Sequence, residues 1–117
     1  GAFQVERSHF LKSTLKPYRG MPKPFRIYLD SGTMDFTGGD DGRKQTEAVA
    51  VELRRIGWRD GVDFEHYVDL KPLLAEELGK VGLRRDKWPE AQRSQHNEFY
   101  WRLRVWRPLV FLFPAKL

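Results

Sequence analysis

The chain has 117 residues, of which 40% are hydrophobic and 14% aromatic, enough for one domain with a core and too few for two ordinary cores. This composition excludes a disordered or fibrous chain. The sequence has neither an apolar run of about 18 residues, as a membrane span requires, nor the apolar core of a signal peptide near residue 1. We therefore expect a soluble chain without membrane contact. The absence of cysteine excludes disulfides and thiolate metal sites, and the compartment stays open, with a cytoplasmic location favoured.

The charge balance, 21 Lys+Arg against 16 Asp+Glu, gives a net charge of +5. Such a surplus permits acidic partners without requiring them. The basic residues are scattered among acidic neighbours, as in the group Arg102, Arg104 and Arg107, instead of forming one stripe interleaved with aromatics. The scatter indicates solvated faces and argues against nucleic acid as a partner. A basic nucleic-acid-binding module is the first alternative function.

The first predicted elements are a connector and a strand. Residues 1–24 carry three prolines near their end, which fix φ and remove backbone donors, so we predict a connector there. Residues 25–29 (FRIYL) are apolar and rich in branched and aromatic side chains, and a turn signal follows. The pattern predicts a strand that ends near Asp30, with the Asp30 side chain satisfying backbone groups of the turn.

A helix and a second strand follow. Residues 43–56 place Ala48, Val49, Leu53 and Ile56 on one face, after a loop rich in glycine and aspartate and before Gly57, which is suited to end a helix. Residues 63–68 alternate in polarity as a strand does. A strand, a helix and a strand in this order predict a βαβ unit with parallel strands, and hence an α/β class in which residues 1–117 form a single domain.

The remainder of residues 25–117 is predicted to be mainly helical. Residues 70–82 suggest a short helix, residues 84–95 a loop, and the spacing of Phe99, Leu103 and Trp106 a closing helix that Pro108 interrupts. Two parallel strands make a poor sheet, because such sheets are usually covered on both faces and extended by further strands. Either residues 1–24 add a strand, or another segment or another copy of the chain extends the sheet, which would give a homo-oligomer through an open sheet edge.

Two side chains with catalytic chemistry are predicted to lie near the carboxyl ends of these strands, where open α/β sheets bind ligands. Asp35 follows the first strand, and His96 precedes the last helix. A carboxylate that hydrogen-bonds an imidazole fixes its tautomer and leaves the second ring nitrogen to act as a base. Asp35 and His96 are therefore a candidate acid–base pair.

Five stretches, in this order and spacing, carry a resemblance to a known family: residues 26–35 with Gly32-Thr33-Met34-Asp35, residues 53–57, residues 64–67, His96 with Trp101 five residues later, and residues 108–113. They resemble the C-terminal part of the esterase family of α/β-hydrolases that includes feruloyl esterases, enterochelin esterases and mycolyltransferases. The resemblance covers roughly residues 1–114 and implies a partial α/β-hydrolase sheet.

The resemblance implies that Asp35 is the acid and His96 the base of a Ser-Asp-His triad acting on a small-molecule ester. The chain order of such triads is serine, acid, histidine, so the nucleophile is expected before Gly1. No Gly-x-Ser-x-Gly motif occurs in the sequence. We therefore expect a C-terminal portion of a serine ester hydrolase that is inactive alone, since the oxyanion hole would also lie in the missing half.

Several residues have plainer explanations that stay open. Asp40 and Asp41 are rivals of Asp35 for the acid, although helix capping explains both. His66 and His9 are expected to be structural, since neither has a neighbour at a metal-ligand spacing, and no metal or cofactor is predicted. The four tryptophans, including Trp58 and Trp106, are expected to pack in or at the edge of the core. A non-catalytic oligomerising fragment is the second alternative to an esterase.

Overall fold

The structure, a computed structural model, describes residues 9–32, 40–69 and 98–115. Its elements in chain order are a π-helical turn (Leu11–Leu15), strand β1 (Ile27–Ser31), helix α1 (Arg43–Ile56), strand β2 (Phe64–Val68), helix α2 (Glu98–Arg104) and helix α3 (Trp106–Leu112). The helix predicted over residues 70–82 and the loop predicted over residues 84–95 lie outside the described residues.

The two strands form a parallel sheet, so the predicted strand–helix–strand unit with parallel strands is confirmed. The register pairs Ile27 with Phe64 and Ser31 with Val68. Strand β1 continues past Asp30 because the backbone carbonyl of Ser31 accepts a hydrogen bond from the Asp69 N–H at 2.9 Å. Mixed helix and strand with a parallel sheet is compatible with the α/β class.

Helix α1 has the bounds that its pattern predicts. Its buried residues are Val49, Ala50, Leu53 and Ile56, so Ala50 replaces the predicted Ala48 on the core-facing stripe. Asp40 accepts hydrogen bonds from the N–H groups of Gly42 and Lys44 before the first turn, as a capping carboxylate does. Gly57, at φ 126°, ends the helix with its N–H bonded to the carbonyls of Leu53 and Arg54. That positive φ is open mainly to glycine.

The segment predicted as a connector contributes to the core. Leu15, in the π-helical turn, is buried against α1, and residues 9–24 contain no strand. The Arg55 guanidinium of α1 donates hydrogen bonds to the carbonyls of Leu15 at 2.9 Å and Tyr18 at 3.1 Å. These bonds tie the end of the turn to the helix.

The sheet has a layer of helix on each face. On one face, Phe64 is fully buried and belongs to the core with the apolar residues of α1 and with Trp58, as expected for that tryptophan. Side chains on the other face contact α2 and α3, as the rings of Tyr28 and Phe111 do with centroids 6.5 Å apart. Because successive side chains of a strand point to opposite faces, neighbouring residues of each strand contact different helices.

The C-terminal helical segment breaks at Val105 and not at Pro108, where the break was predicted. Pro108 lies in the first turn of α3, where a missing N–H costs no hydrogen bond. Its ring is incompatible with a helical carbonyl four residues earlier, so α2 ends at Arg104. Trp106 is 54% exposed, against the expectation that it packs in the core. None of the helices in the described part is long and apolar enough to cross a bilayer.

Candidate functional site

The two residues predicted as the acid–base pair, Asp35 and His96, lie outside the described residues, and their pairing stays a prediction. The structure does describe the residues that flank them along the chain. Gly32 follows β1 three positions before Asp35, and α2 begins at Glu98, two positions after His96. The distance between the end of β1 and helix α2 therefore limits how far apart Asp35 and His96 can be.

A buried ion-pair cluster joins these two places. The Arg104 guanidinium contacts the carboxylate of Asp30 with its Nε at 3.1 Å and that of Asp69 with its Nη1 at 3.4 Å. The Arg104 side chain is only 6% exposed, and the carboxylate side chains are 26% and 17% exposed. One fixed positive charge is thus shared by two carboxylates at the carboxyl ends of both strands.

The cluster follows from where the strands end. Asp30 is on β1, on the face opposite the apolar core, and Asp69 is the first residue after β2. Two carboxylates at one sheet edge repel each other unless a cation lies between them, and the forked guanidinium can reach both. Arg104 is buried and not solvated as its sequence context predicts, and Asp30 binds Arg104 instead of satisfying a turn. The signal that could have revealed this contact is the repetition of Asp directly at the end of each strand.

Tyr28 extends the cluster along the sheet. Its hydroxyl donates to Oδ2 of Asp30 at 3.4 Å. Burial, followed by the negative charges of Asp30 and Glu65, raises the pKa of Tyr28 well above its usual value. The phenol therefore stays protonated at physiological pH and acts as a donor toward the Asp30 carboxylate.

A second guanidinium occupies the same face nearer the start of β2. Arg107 of α3 lies over the ring of Tyr67 at 3.7 Å and contacts the carboxylate of Glu65 at 3.8 Å. An exposed groove next to it is lined by Arg26, Glu65, Trp106, Arg107, Val110 and Phe111. This side of the sheet is accordingly covered by charged and aromatic contacts, in contrast to the apolar side that packs on α1.

One hydrogen bond joins described residues on either side of the segment 33–39, which contains Asp35. The Gly32 N–H donates to the carboxylate of Asp41, which is itself buried and has a φ of 58°. This contact ties the end of β1 to the residues that precede α1. Asp41 therefore holds the end of β1, while the Asp40 carboxylate bonds to the N–H groups at the start of the helix. The adjacent Ser31 is 3% exposed, and its hydroxyl has no hydrogen-bond partner among the described residues.

His66 is half-buried on the core side of β2, and its Nε2 is buried with no hydrogen-bond partner in the part of the chain that the structure describes. Burial, and after it the positive charge of Arg54, lowers the pKa of His66, although Glu47 and Asp60 act in the opposite direction. This environment agrees with the structural role expected for His66. Among the described residues, no group of three histidine or carboxylate side chains has the arrangement of a metal site.

The lowered pKa makes stability depend on His66 in acid. Because the folded chain resists protonating this imidazole more than the unfolded chain does, stability is full above the unfolded pKa near 6.5 and falls as the pH drops toward the folded value. We expect His66→Gln to reduce the loss of unfolding free energy between pH 7.5 and pH 5.5, measured by urea denaturation. His9→Gln, at an exposed site, is the control, and an unchanged pH dependence in His66→Gln would contradict this assignment.

Comparisons with known proteins add no relative: no family model, no curated protein and no solved structure matches this chain. The contacts at the carboxyl edge of the sheet are therefore the physical basis for a functional proposal. They consist of the Asp30–Arg104–Asp69 cluster and the Gly32–Asp41 hydrogen bond.

Proposed function

We propose that the chain carries the acid and the histidine of a Ser-Asp-His triad in an ester hydrolase of the α/β-hydrolase type. Asp35 is the acid and His96 the general base in this proposal, and a segment outside the 117 residues supplies the serine. The substrate class is a small-molecule ester. The proposal rests on the family resemblance and on the anchoring of the two flanking segments at one sheet edge.

Arg104 is the observation that carries the proposal. It links the last turn of α2 to Asp30 and Asp69, at the edge from which the segment containing Asp35 departs. Asp35 cannot be more than about 11 Å from Gly32, because consecutive Cα atoms are about 3.8 Å apart. Helix α2 rises about 9 Å from Glu98 to Arg104, and His96 precedes Glu98 by two residues. These chain-length bounds allow the two residues to meet at the same sheet edge, which supports the proposal.

The proposed acid–base chemistry requires that the carboxylate and the imidazole are held in a fixed geometry. In acyl transfer, the imidazole takes the proton of the serine hydroxyl during attack on the ester carbonyl and returns it to the leaving alcohol. The carboxylate holds the correct tautomer and stabilises the imidazolium. A small displacement of either group is costly, because catalysis depends on near-contact geometry. The buried cluster and the Asp41 anchor supply rigid supports on both sides of the segment that contains Asp35.

The pairing is testable on the 117-residue chain without any substrate. A carboxylate in contact with an imidazole favours its charged form, so we expect Asp35→Asn to lower the pKa of His96, measured by NMR titration of the ring protons. Asp40→Asn is the matched control, since Asp40 is a rival carboxylate that caps α1. If Asp40→Asn lowers the pKa of His96 and Asp35→Asn does not, Asp35 is not the acid.

The described arginines give little support to nucleic-acid binding as the function. Five of them contact carboxylates of the chain: Arg43, Arg54, Arg55, Arg104 and Arg107. A guanidinium already paired with a carboxylate releases few counterions on binding a phosphate. Binding to DNA or RNA is therefore expected to be weak and without sequence preference.

A further inference from the structure

Strand β1 has an outer edge that faces away from β2. Ile27 donates its N–H to the Asp63 carbonyl at 2.9 Å, and the Ser31 carbonyl accepts from Asp69 at 2.9 Å. The backbone groups of Ile27, Leu29 and Ser31 therefore point toward β2. Those of Tyr28 and Asp30 point the other way, because successive residues of a strand alternate. No backbone partner for these outward groups occurs within the described part of the chain.

The outer edge of β2 differs, because the preceding turn folds back onto it. The Phe64 N–H donates to the Arg59 carbonyl at 3.1 Å, and the Phe64 carbonyl accepts from Gly61 at 2.9 Å. An open strand edge can pair with another chain. The contact with the preceding turn occupies the backbone groups of Phe64, at the start of the outer edge of β2. Among the described residues, β1 is the strand whose outward backbone groups have no such contact.

We propose that two copies of the chain pair through β1 in antiparallel register about a twofold axis at Leu29, forming a continuous four-stranded sheet. The dimer is proposed for the 117-residue chain itself, because a further segment that extended the sheet at β1 would occupy the same edge. In this register Tyr28 of one copy is opposite Asp30 of the other, so the outward N–H and carbonyl groups of both residues are satisfied in both copies. Ile27 then faces Ser31, and no charge meets a like charge. A register centred on Asp30 would bring two carboxylates together.

An exposed apolar stripe on the same face of the sheet supports the second copy as the partner. Paired residues of antiparallel strands point to the same side, so helix α3, which packs on β1 through Phe111, is on one side of the sheet in both copies. At least half of each side chain is exposed in the stripe formed by Val105, Trp106, Leu109, Val110 and Phe113. Together they leave on the order of 500 Å² uncovered. Twice that area, added to the strand contact, approaches the size of a stable interface.

The test measures mass and amide protection on the 117-residue chain. We expect analytical ultracentrifugation to show a monomer–dimer equilibrium between micromolar and submillimolar concentrations. Hydrogen exchange followed by NMR should show that the Tyr28 and Asp30 amides are protected in the dimer and exchange rapidly on dilution. The Ile27 and Leu29 amides, which face β2, should stay protected at both concentrations.

Tyr28→Pro removes the outward N–H without affecting the bonds to β2, because proline is tolerated on a strand edge. We expect it to raise the dimer dissociation constant by about 10- to 100-fold, since each copy loses a hydrogen bond and leaves an acceptor unpaired. Tyr28→Ala is the matched control, which keeps the N–H and should keep the dimer. A chain that is monomeric at all concentrations, or a dimer with unprotected Tyr28 and Asp30 amides, would overturn the proposal.

Discussion

His96→Ala is expected to lower ester hydrolysis by about 10³- to 10⁶-fold in a polypeptide that joins these 117 residues to a segment with an activated serine. The physical reason is that the imidazole transfers the proton at both the attack and the departure of the alcohol, and no other proposed group can replace it. The measurement is kcat/KM with p-nitrophenyl acetate. Asp35→Asn should cause a loss of similar or smaller size, because the imidazole would then favour the wrong tautomer.

His9→Ala is the control for this experiment, since His9 is exposed and far along the sequence from the proposed pair. The 117-residue chain alone should show negligible turnover, as it contains no Gly-x-Ser-x-Gly motif. Full activity in the His96→Ala enzyme would refute the assignment of the base. Substantial, His96-independent turnover by the chain alone would refute the assignment of the serine to another segment.

Local patterns predicted the framework of the fold because the relevant forces act over a few residues. The amphipathic repeat of α1 is bounded by Asp40, which caps the first turn, and by Gly57, which alone suits the positive φ at the end. The alternation of β2 marks its buried side, where Phe64 is fully enclosed. These elements and their parallel pairing follow from spacing, capping and chain connection.

The buried charge cluster could not be predicted from such patterns, because its members are far apart in the sequence. Arg104 is 74 residues from Asp30 and 35 from Asp69. An arginine near other arginines has the composition of a solvated surface, and only the tertiary fold brings two carboxylates to it. In the same way, the prolines of residues 1–24 concealed that Leu15 packs in the core. The candidate pair Asp35 and His96 is proposed from resemblance and chain connection alone.

Arg104→Met is expected to reduce the free energy of unfolding by about 2 to 4 kcal/mol, somewhat less than for a fully buried pair because both carboxylates are partly exposed. The substitution keeps the volume of the side chain but leaves Asp30 and Asp69 without their shared cation. For a chain of this size the loss corresponds to a decrease in Tm of roughly 10 °C. Thermal and urea denaturation followed by circular dichroism would measure both quantities.

Arg54→Met is the matched control, since Arg54 forms a shorter pair with Asp60, at 2.8 Å, but the two side chains are 42% and 58% exposed. A solvated pair of this kind contributes about 1 kcal/mol or less, so this variant should be nearly as stable as the original chain. Adding Asp30→Asn and Asp69→Asn to Arg104→Met should restore part of the loss, because the two carboxylate charges that Arg104 neutralised are then removed. Equal costs for Arg104→Met and Arg54→Met would show that the cluster does not hold α2 to the sheet edge, and the main structural support for bringing His96 near Asp35 would be lost.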